Sequence, residues 1–298
     1  MIYTVTLNPA IDYVVQLDGH LTAGALNRSR KEDYQFGGKG INVSNVLRTL
    51  GQDTVALGFV AGFSGQGLEQ GLQEMGLITD FIHLPRGCTR INLKAKGTEE
   101  TEINGSGPVV SSQDMEALYA RLEKLTSNDI LVLSGSIPQG LTLTAYAEIL
   151  CRLQDKHIPV VVDAAGPLLT NTLPFHPFLI KPNRQELEAI FQTELVCNEQ
   201  IAVCATKLQQ QGARNVLVSL AEDGAFLLDE TGTFHRMPCP AGRVINSVGA
   251  GDSMVAGFLA GWQQTGRYAD ALKLGIAAGS ATAFSLGLAD NAAIKALL

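Results

Sequence analysis

The residues of this chain best suited to chemistry lie in Ser247-Val248-Gly249-Ala250-Gly251-Asp252-Ser253, just ahead of an apolar run from Met254 to Trp262. Met254, Val255, Phe258, Leu259 and Trp262 recur at helical spacing behind the small residues Gly249, Ala250 and Gly251. A helix therefore starts here, on a backbone that a ligand can approach closely. The first N–H groups of a helix lack partners inside it, and the helix dipole adds positive charge at that end, so the turn suits an anion such as phosphate. Asp252 stands at the mouth of that anion hole, and two roles are open to it. It can cap the helix, or it can be a general base that takes the proton of a hydroxyl attacking a phosphoryl group held by the neighbouring N–H groups.

Other polar residues sit where apolar segments end. Asn8-Pro9-Ala10-Ile11-Asp12 follows a strand-like Ile2 to Leu7, which puts Asp12 either at a ligand-binding strand end or in an Asx turn. Phe36-Gly37-Gly38-Lys39-Gly40-Ile41-Asn42-Val43 is a glycine-rich turn feeding a helix. Its spacing matches neither G-x-x-x-x-G-K-[ST] nor G-x-G-x-x-G, which leaves exposed backbone beside one cation and one amide, a set suited to a polar small molecule. Ser134-Gly135-Ser136-Ile137-Pro138, Lys181-Pro182-Asn183-Arg184-Gln185-Glu186 and Ser219-Leu220-Ala221-Glu222-Asp223-Gly224 each follow a strand-like segment. Singly these are turns or caps; together, at one rim of one sheet, they make a site.

The elements that must position these residues alternate. Strand-like Thr54 to Val60, Ile130 to Ser134, Pro159 to Asp163, Phe178 to Lys181 and Asn215 to Leu220 are separated by helical patterns around Leu68 to Met75, Asp114 to Leu125, Leu143 to Leu153 and Ile201 to Gln211. This rhythm predicts an α/β fold with a mainly parallel central sheet covered by helices on both faces. A hairpin over Ala225 to Met237 and a buried, Gly/Ala-rich helix over Ala269 to Phe284 complete it. Short β-rich pieces at Phe81 to Leu84, Thr89 to Lys96 and Thr101 to Asn104 break the rhythm. With Tyr13 to Leu17 and Arg30 to Phe36 they predict a small antiparallel β lid, built from about 13–36 and 86–108, on a single domain spanning 1–298.

A chain of 298 residues, 46% of them hydrophobic, can bury a large core, and a net charge of −7 argues against a protein that coats nucleic acid or an anionic membrane. No apolar run reaches the roughly 18 residues of a membrane span and the N-terminus lacks a signal-peptide pattern, so a soluble, cytoplasmic protein is expected. Five cysteines without C-x-x-C spacing read as buried free thiols. The five histidines form no metal-ligand pair and read as structural or surface residues.

Six blocks in order identify a resemblance that covers essentially the whole chain. They are Thr6-Leu7-Asn8-Pro9-Ala10-x-Asp12, Gly37-Gly38-Lys39-Gly40-x-Asn42-Val43, Thr89-Arg90-Ile91-Asn92, Ser134-Gly135-Ser136-x-Pro138, Lys181-Pro182-Asn183-x-x-Glu186-Leu187 and Val248-Gly249-Ala250-Gly251-Asp252-Ser253. The sequence resembles the ribokinase-like (PfkB) sugar kinases. The resemblance implies a ribokinase-like fold and an ATP-dependent kinase with Mg²⁺ that acts on a small sugar phosphate and forms a homodimer through the lid. It implies Asp252 as the base, with the N–H groups of Gly249, Ala250 and Gly251 holding the migrating phosphoryl group. Asp12, Gly38, Lys39, Asn42 and Ser136 would bind the sugar, and Arg90 would clamp the phosphate already on it. Lys181, Asn183, Ser219, Gly224 and Ser280 would serve the nucleotide, and Glu186 the Mg²⁺ through water. The branch resembled transfers phosphate to the 6-hydroxyl of fructose 1-phosphate, and the alternative is the 1-hydroxyl of tagatose 6-phosphate. A non-catalytic sugar-phosphate sensor fits less well, because Asp252 and the glycine turn are intact. Ala221 stands where the family usually has Gly.

Overall fold

The computed structural model describes residues 1–298. In chain order the strands are β1 (Ile2–Thr6), β2 (Ala10–Leu17), β3 (Ser29–Gly37), β4 (Thr54–Ala61), β5 (Ile78–Leu84), β6 (Arg90–Lys96), β7 (Glu100–Asn104), β8 (Ile130–Ser134), β9 (Val160–Asp163), β10 (Leu179–Ile180), β11 (Asn215–Ser219), β12 (Ala225–Leu228) and β13 (Phe234–Met237). The helices are α1 (Lys39–Thr49), α2 (Gly62–Glu74), α3 (Ser112–Leu122), α4 (Ala145–Leu153), α5 (Pro167–Thr170), α6 (Arg184–Phe191), α7 (Asn198–Gln210), α8 (Ala250–Thr265), α9 (Tyr268–Ala283) and α10 (Asn291–Lys295).

Nine strands form the central sheet in the order β13-β12-β11-β10-β9-β8-β1-β4-β5. It is parallel except at β12 and β13, which fold back as an antiparallel hairpin on β11. Both faces are covered, so alternate residues of one strand enter different cores. Val5, Leu131, Leu133 and Val162 pack with α3, α4 and α7, whereas Ile2, Ile130, Val132 and Val161 pack with α1, α8 and α9. All the parallel strands therefore end at one rim, and their following turns converge there.

The lid is a second sheet in the order β3-β2-β6-β7, and it is mixed rather than antiparallel, because β2 and β6 pair in parallel. The chain path explains this. Strands β1 and β5 leave the central sheet by the same rim, so the strands that follow them, β2 and β6, both run outward. Phe81 to Leu84 belongs to β5 in the central sheet rather than to the lid, where it pairs with β4. Asp12 lies inside β2 instead of in a turn, directly across from Gln35 on β3 and Asn92 on β6.

Two close approaches fix the elements that carry the site. Gly38, with φ of 128°, leads into α1, and a Cβ there would lie 2.6 Å from Thr6 Cγ2. Helices α8 and α9 meet along a seam of small residues; a Cβ on Gly257 would come within 2.5 Å of the Leu274 carbonyl oxygen, and one on Gly261 within 2.9 Å of Ala271 Cα. No helix is long and apolar enough to cross a membrane.

The cysteines are less buried than expected. Cys204 is buried and Cys239 partly so, but Cys88, Cys151 and Cys197 are exposed. Apolar residues precede Cys151 and Cys197, yet Cys151 falls on the outer side of α4 and Cys197 precedes α7, where no packed layer covers them, and Cys88 lies in a turn among Arg86, Gly87 and Arg90. Two histidines, His83 beside Glu69 and His235 beside Asp229, form side-chain pairs at 2.7 Å.

Candidate active site

Between the rim and the lid lies a cleft of about 430 Å³. The N-terminus of α8 forms one wall. Gly249 precedes the helix with φ of 80°, a left-handed conformation that suits glycine. The N–H of Ala250 donates to the Ser247 carbonyl at 3.2 Å, whereas those of Gly249, Gly251 and Asp252 have no protein acceptor. The free donors are thus Gly249, Gly251 and Asp252 in place of the expected Gly249, Ala250 and Gly251. The turn folds back at Ser247, and that occupies Ala250.

The Asp252 side chain caps nothing. Its Oδ2 accepts from Nδ2 of Asn42 on the neighbouring α1 at 2.8 Å, and the residue is 5% exposed. Burial pushes its carboxyl up and the charge of Asp163 adds to this, giving a pKa of about 6 against the pull of Asn42, Lys39 and Lys181. This carboxylate is desolvated, unpaired with any cation and beside free N–H groups, which are the properties of a general base next to an anion hole.

Asp163, at the end of β9, is completely buried and lies 3.3 Å from both Lys39 Nζ and Lys181 Nζ. Burial works to raise its pKa, but the two ammonium groups outweigh it and hold the carboxyl below its ordinary value. For Lys39 burial acts downward, and Asp163, Asp252 and Glu186 together keep its pKa raised. Gly251 leaves room for this cluster, since a Cβ there would lie 3.2 Å from Lys181 Nζ. The lysines thus face the open end of α8 with one buried counter-charge between them.

The lid supplies the opposite wall. Asp12 Oδ1 accepts from Asn92 Nδ2 at 2.7 Å, and Oδ2 lies 3.4 Å from Lys94 Nζ. Arg90 donates from Nε to the Asn8 carbonyl at 3.1 Å and makes no ion pair with any carboxylate. Burial lowers its pKa. A half-buried guanidinium with its outer N–H groups uncommitted is set up to receive an anion.

On the far side, Asn183 and Glu186 cap α6 reciprocally, each side chain accepting the other's backbone N–H at 2.8 Å, through Glu186 Oε2. Among the residues expected from the sequence, Asp12, Gly38, Lys39, Asn42, Arg90, Lys181, Asn183, Glu186, Ser219, Gly249, Gly251 and Asp252 all line the cleft. Ala250, Ser136, Gly224 and Ser280 do not. Ser136 is exposed, Gly224 is packed under the β13 turn, and Ser280 is buried against Cys239 at 3.2 Å. Ala221 adopts φ of 50°, a region that favours the glycine usual in the family.

Asp163, Asn92, Gln35 and Asn246 line the cleft without having been expected. For Asp163 the signal is a lone carboxylate closing the apolar run Pro159 to Val162. For Asn92 it is the alternation Arg90, Asn92, Lys94, which puts three polar residues on one strand face.

The model of the pfkB family carbohydrate kinases matches residues 5–295. The 1-phosphofructokinase of Bacillus subtilis is 43% identical over 298 residues, covering 100% of this chain and 97% of the relative. The D-tagatose-1-phosphate kinase of Bacillus licheniformis is 38% identical over 292 residues, with 97% and 95% covered. Among solved structures, phosphofructokinase-2 from Escherichia coli in complex with potassium superimposes with a TM-score of 0.92 at 27% identity, over 99% of this chain and 97% of that one. With five of the six sequence blocks contributing residues to one cleft and the family model spanning nearly the whole length, this chain belongs to the pfkB family of carbohydrate kinases.

Proposed function

We propose that the protein transfers the γ-phosphoryl group of ATP to the 6-hydroxyl of fructose 1-phosphate, giving fructose 1,6-bisphosphate, and that the whole chain acts as one kinase domain with a lid over residues 13–36 and 86–108. The observation that carries this reading is the placement of the buried Asp252 carboxylate beside three unpaired N–H groups, with the uncommitted Arg90 guanidinium on the facing lid. In this reading a phosphorylated sugar held by Arg90 presents its other end to Asp252, both residues lining the one cleft. The name carried by the relative at 43% identity supports the same substrate.

In this reading Asp12, Gly38 and Asn42 bind sugar hydroxyls, Asp252 removes the proton of the attacking hydroxyl, and the N–H groups of Gly249, Gly251 and Asp252 receive the charge that grows on the transferred phosphoryl oxygens. Lys39 and Lys181 add positive charge beside it. Asn183 and Ser219 take the nucleotide on the opposite side, with Gly224 and Ser280 shaping the backbone behind them. Mg²⁺ fits the residues present: no group of three or more His, Cys, Asp or Glu side chains gathers here, yet Glu186 keeps Oε1 free while Oε2 caps the helix. One carboxylate acting through water suits an ion that keeps several waters and binds substrate phosphates. When bound, Mg²⁺ neutralises the nucleotide phosphates.

The lid's outer face supports a homodimer. Tyr34, Tyr13, Leu93 and Ile103 form one row across the four strands on the side away from the cleft, and Tyr34 and Ile103 are each 60% exposed. Burying such a face against its copy also covers a sheet with open edges. Sedimentation of the purified chain is expected to give a dimer, and Tyr34→Glu a monomer; a monomeric wild type removes this part of the reading.

The direct test compares kcat/KM for fructose 1-phosphate, tagatose 1-phosphate, tagatose 6-phosphate, fructose 6-phosphate and free sugars with Mg·ATP. A preference for fructose 1-phosphate of about tenfold or more, roughly 1.4 kcal/mol in transition-state binding, is expected. Arg90→Ala is expected to raise KM for the sugar phosphate by about 10–100-fold, the worth of hydrogen bonds to a charged group, and to leave KM for ATP unchanged. Equal loss on both substrates would show that Arg90 does not hold the sugar phosphate.

A further inference from the structure

The cleft face of the lid is organised in rows. Gln35, Asp12, Asn92 and Asn104 face one another across β3, β2, β6 and β7, and Gly37, Ala10 and Arg90 form the next row toward the central sheet. Along β6 the same face carries Arg90, Asn92 and Lys94 in succession, since side chains of a strand alternate between its faces. Asp12 is therefore flanked by two donors on one neighbouring strand.

Each oxygen of the Asp12 carboxylate has one of these donors: Oδ1 takes the Asn92 amide at 2.7 Å, and Oδ2 faces the Lys94 ammonium at 3.4 Å. Lys94 is itself held between Asp12 and Glu102, 3.8 Å away on β7, and its side chain is only 14% exposed. Behind the carboxylate stands Gly37, where a Cβ would lie 3.2 Å from Oδ2, so the glycine gives Asp12 the room to sit between its two donors. A carboxylate gripped at both oxygens cannot rotate to follow a hydroxyl. Only the remaining lone pairs are presented to the cleft, in one fixed direction.

Asn92 also carries a cost that folding alone does not explain. The residue is 7% exposed, and its Oδ1 is buried without any donor. An orphaned buried acceptor is unfavourable, and an apolar side chain of similar shape would avoid it. What the amide does contribute is its nitrogen, and that nitrogen goes to Asp12.

We infer that Asn92 and Lys94 are positioning residues that lock the Asp12 carboxylate, and that this lock sets the preference between sugar phosphates differing in the configuration of a single hydroxyl. The inference rests on the functional reading above. A locked acceptor meets the hydroxyl of one epimer and leaves that of the other unpaired, and a site built to bond a hydroxyl discriminates strongly against a partner that does not offer it.

The test uses full-length Asn92→Ala and Lys94→Met, each assayed with fructose 1-phosphate and tagatose 1-phosphate at saturating Mg·ATP, together with KM for ATP and thermal unfolding. The expected result is a wild-type kcat/KM ratio of about tenfold or more between the two sugars that shrinks by about tenfold in each variant. KM for ATP should stay within about twofold, and Asn92→Ala should unfold no more than a few degrees below wild type, since the orphaned acceptor is removed with the amide. A wild-type ratio near one, a ratio unmoved in either variant, or an equal fall on both sugars overturns the inference. Should Asn92→Ala fail to fold, the side chain is structural and the inference falls for it, while Lys94→Met still decides for the other oxygen. Wild-type enzyme that turns over neither sugar overturns the functional reading itself, a result distinct from turnover with an unmoved ratio.

Discussion

Replacing Asp252 by Asn is expected to lower kcat about 10²–10⁴-fold, the usual size of general-base catalysis, with nucleotide affinity nearly unchanged. Asn keeps the volume and can still bond Asn42, so the cleft should hold its shape while the proton acceptor is lost. The wild-type pH profile carries the same information. A carboxyl pushed up to about 6 by burial and by Asp163 is protonated below that pH, so in the proposed role of base kcat/KM should fall about tenfold per pH unit on the acid side of pH 6. Stability runs the other way. Because the folded protein holds this proton more tightly than the unfolded chain does, the carboxyl's contribution is lost as pH rises from its unfolded value near 4 through 6. Asp252→Asn removes the ionisation penalty, and should unfold at the same urea concentration as wild type or a higher one at pH 8. Near-normal turnover, or a clear loss of stability, would take Asp252 out of the base's role.

The second large effect is expected at Asp163. Asn at this position preserves shape but leaves Lys181, whose side chain is 5% exposed, and Lys39 without the charge that both contact. Breaking a buried ion pair by neutralising one partner typically costs about 3–5 kcal/mol, because the other charge stays buried. Urea unfolding at pH 7 should show a loss of that order. Asp163 is held below its ordinary value, so the stability it confers is present above the unfolded carboxyl range near 4 and disappears as pH falls through the lower folded value. The same substitution removes the negative neighbour of Asp252, and the acid limb of residual kcat/KM should therefore move below pH 6. A stability loss under about 1 kcal/mol, or an unmoved limb, would show that the lysines are balanced from elsewhere.

The central sheet was legible because strands covered on both faces read as short, continuous apolar runs with glycine or polar turns after them. The anion turn was legible because Gly249, Gly251 and Asp252 are unusual residues with which to open an apolar helix. What escaped depends on contacts distant in sequence. The parallel pairing of β2 with β6 follows from where two other strands leave the sheet, and neither lid strand records it. Asp163 looks like any strand end until Lys39 and Lys181, from two other turns, are brought to it. Ala250 was read as a donor because composition cannot show that the Ser247 carbonyl turns back to occupy its N–H. Cys151 and Cys197 read as buried because apolar residues precede them, and burial is decided by which layer lies above them.

The seam of α8 and α9 has an evolutionary consequence. At Gly257 and Gly261 any side chain would meet partner backbone, so the height at which Gly249 to Asp252 stand over the cleft is set by residues that cannot drift without tilting the helix. The lid is under no such constraint: its rows lie on strands with solvent on much of their length, and an exchange there can change cleft-facing side chains and their pairings without moving a helix. Divergence toward new sugars is thus expected to be written into β2, β3, β6 and β7, while the phosphoryl-transfer end is inherited intact.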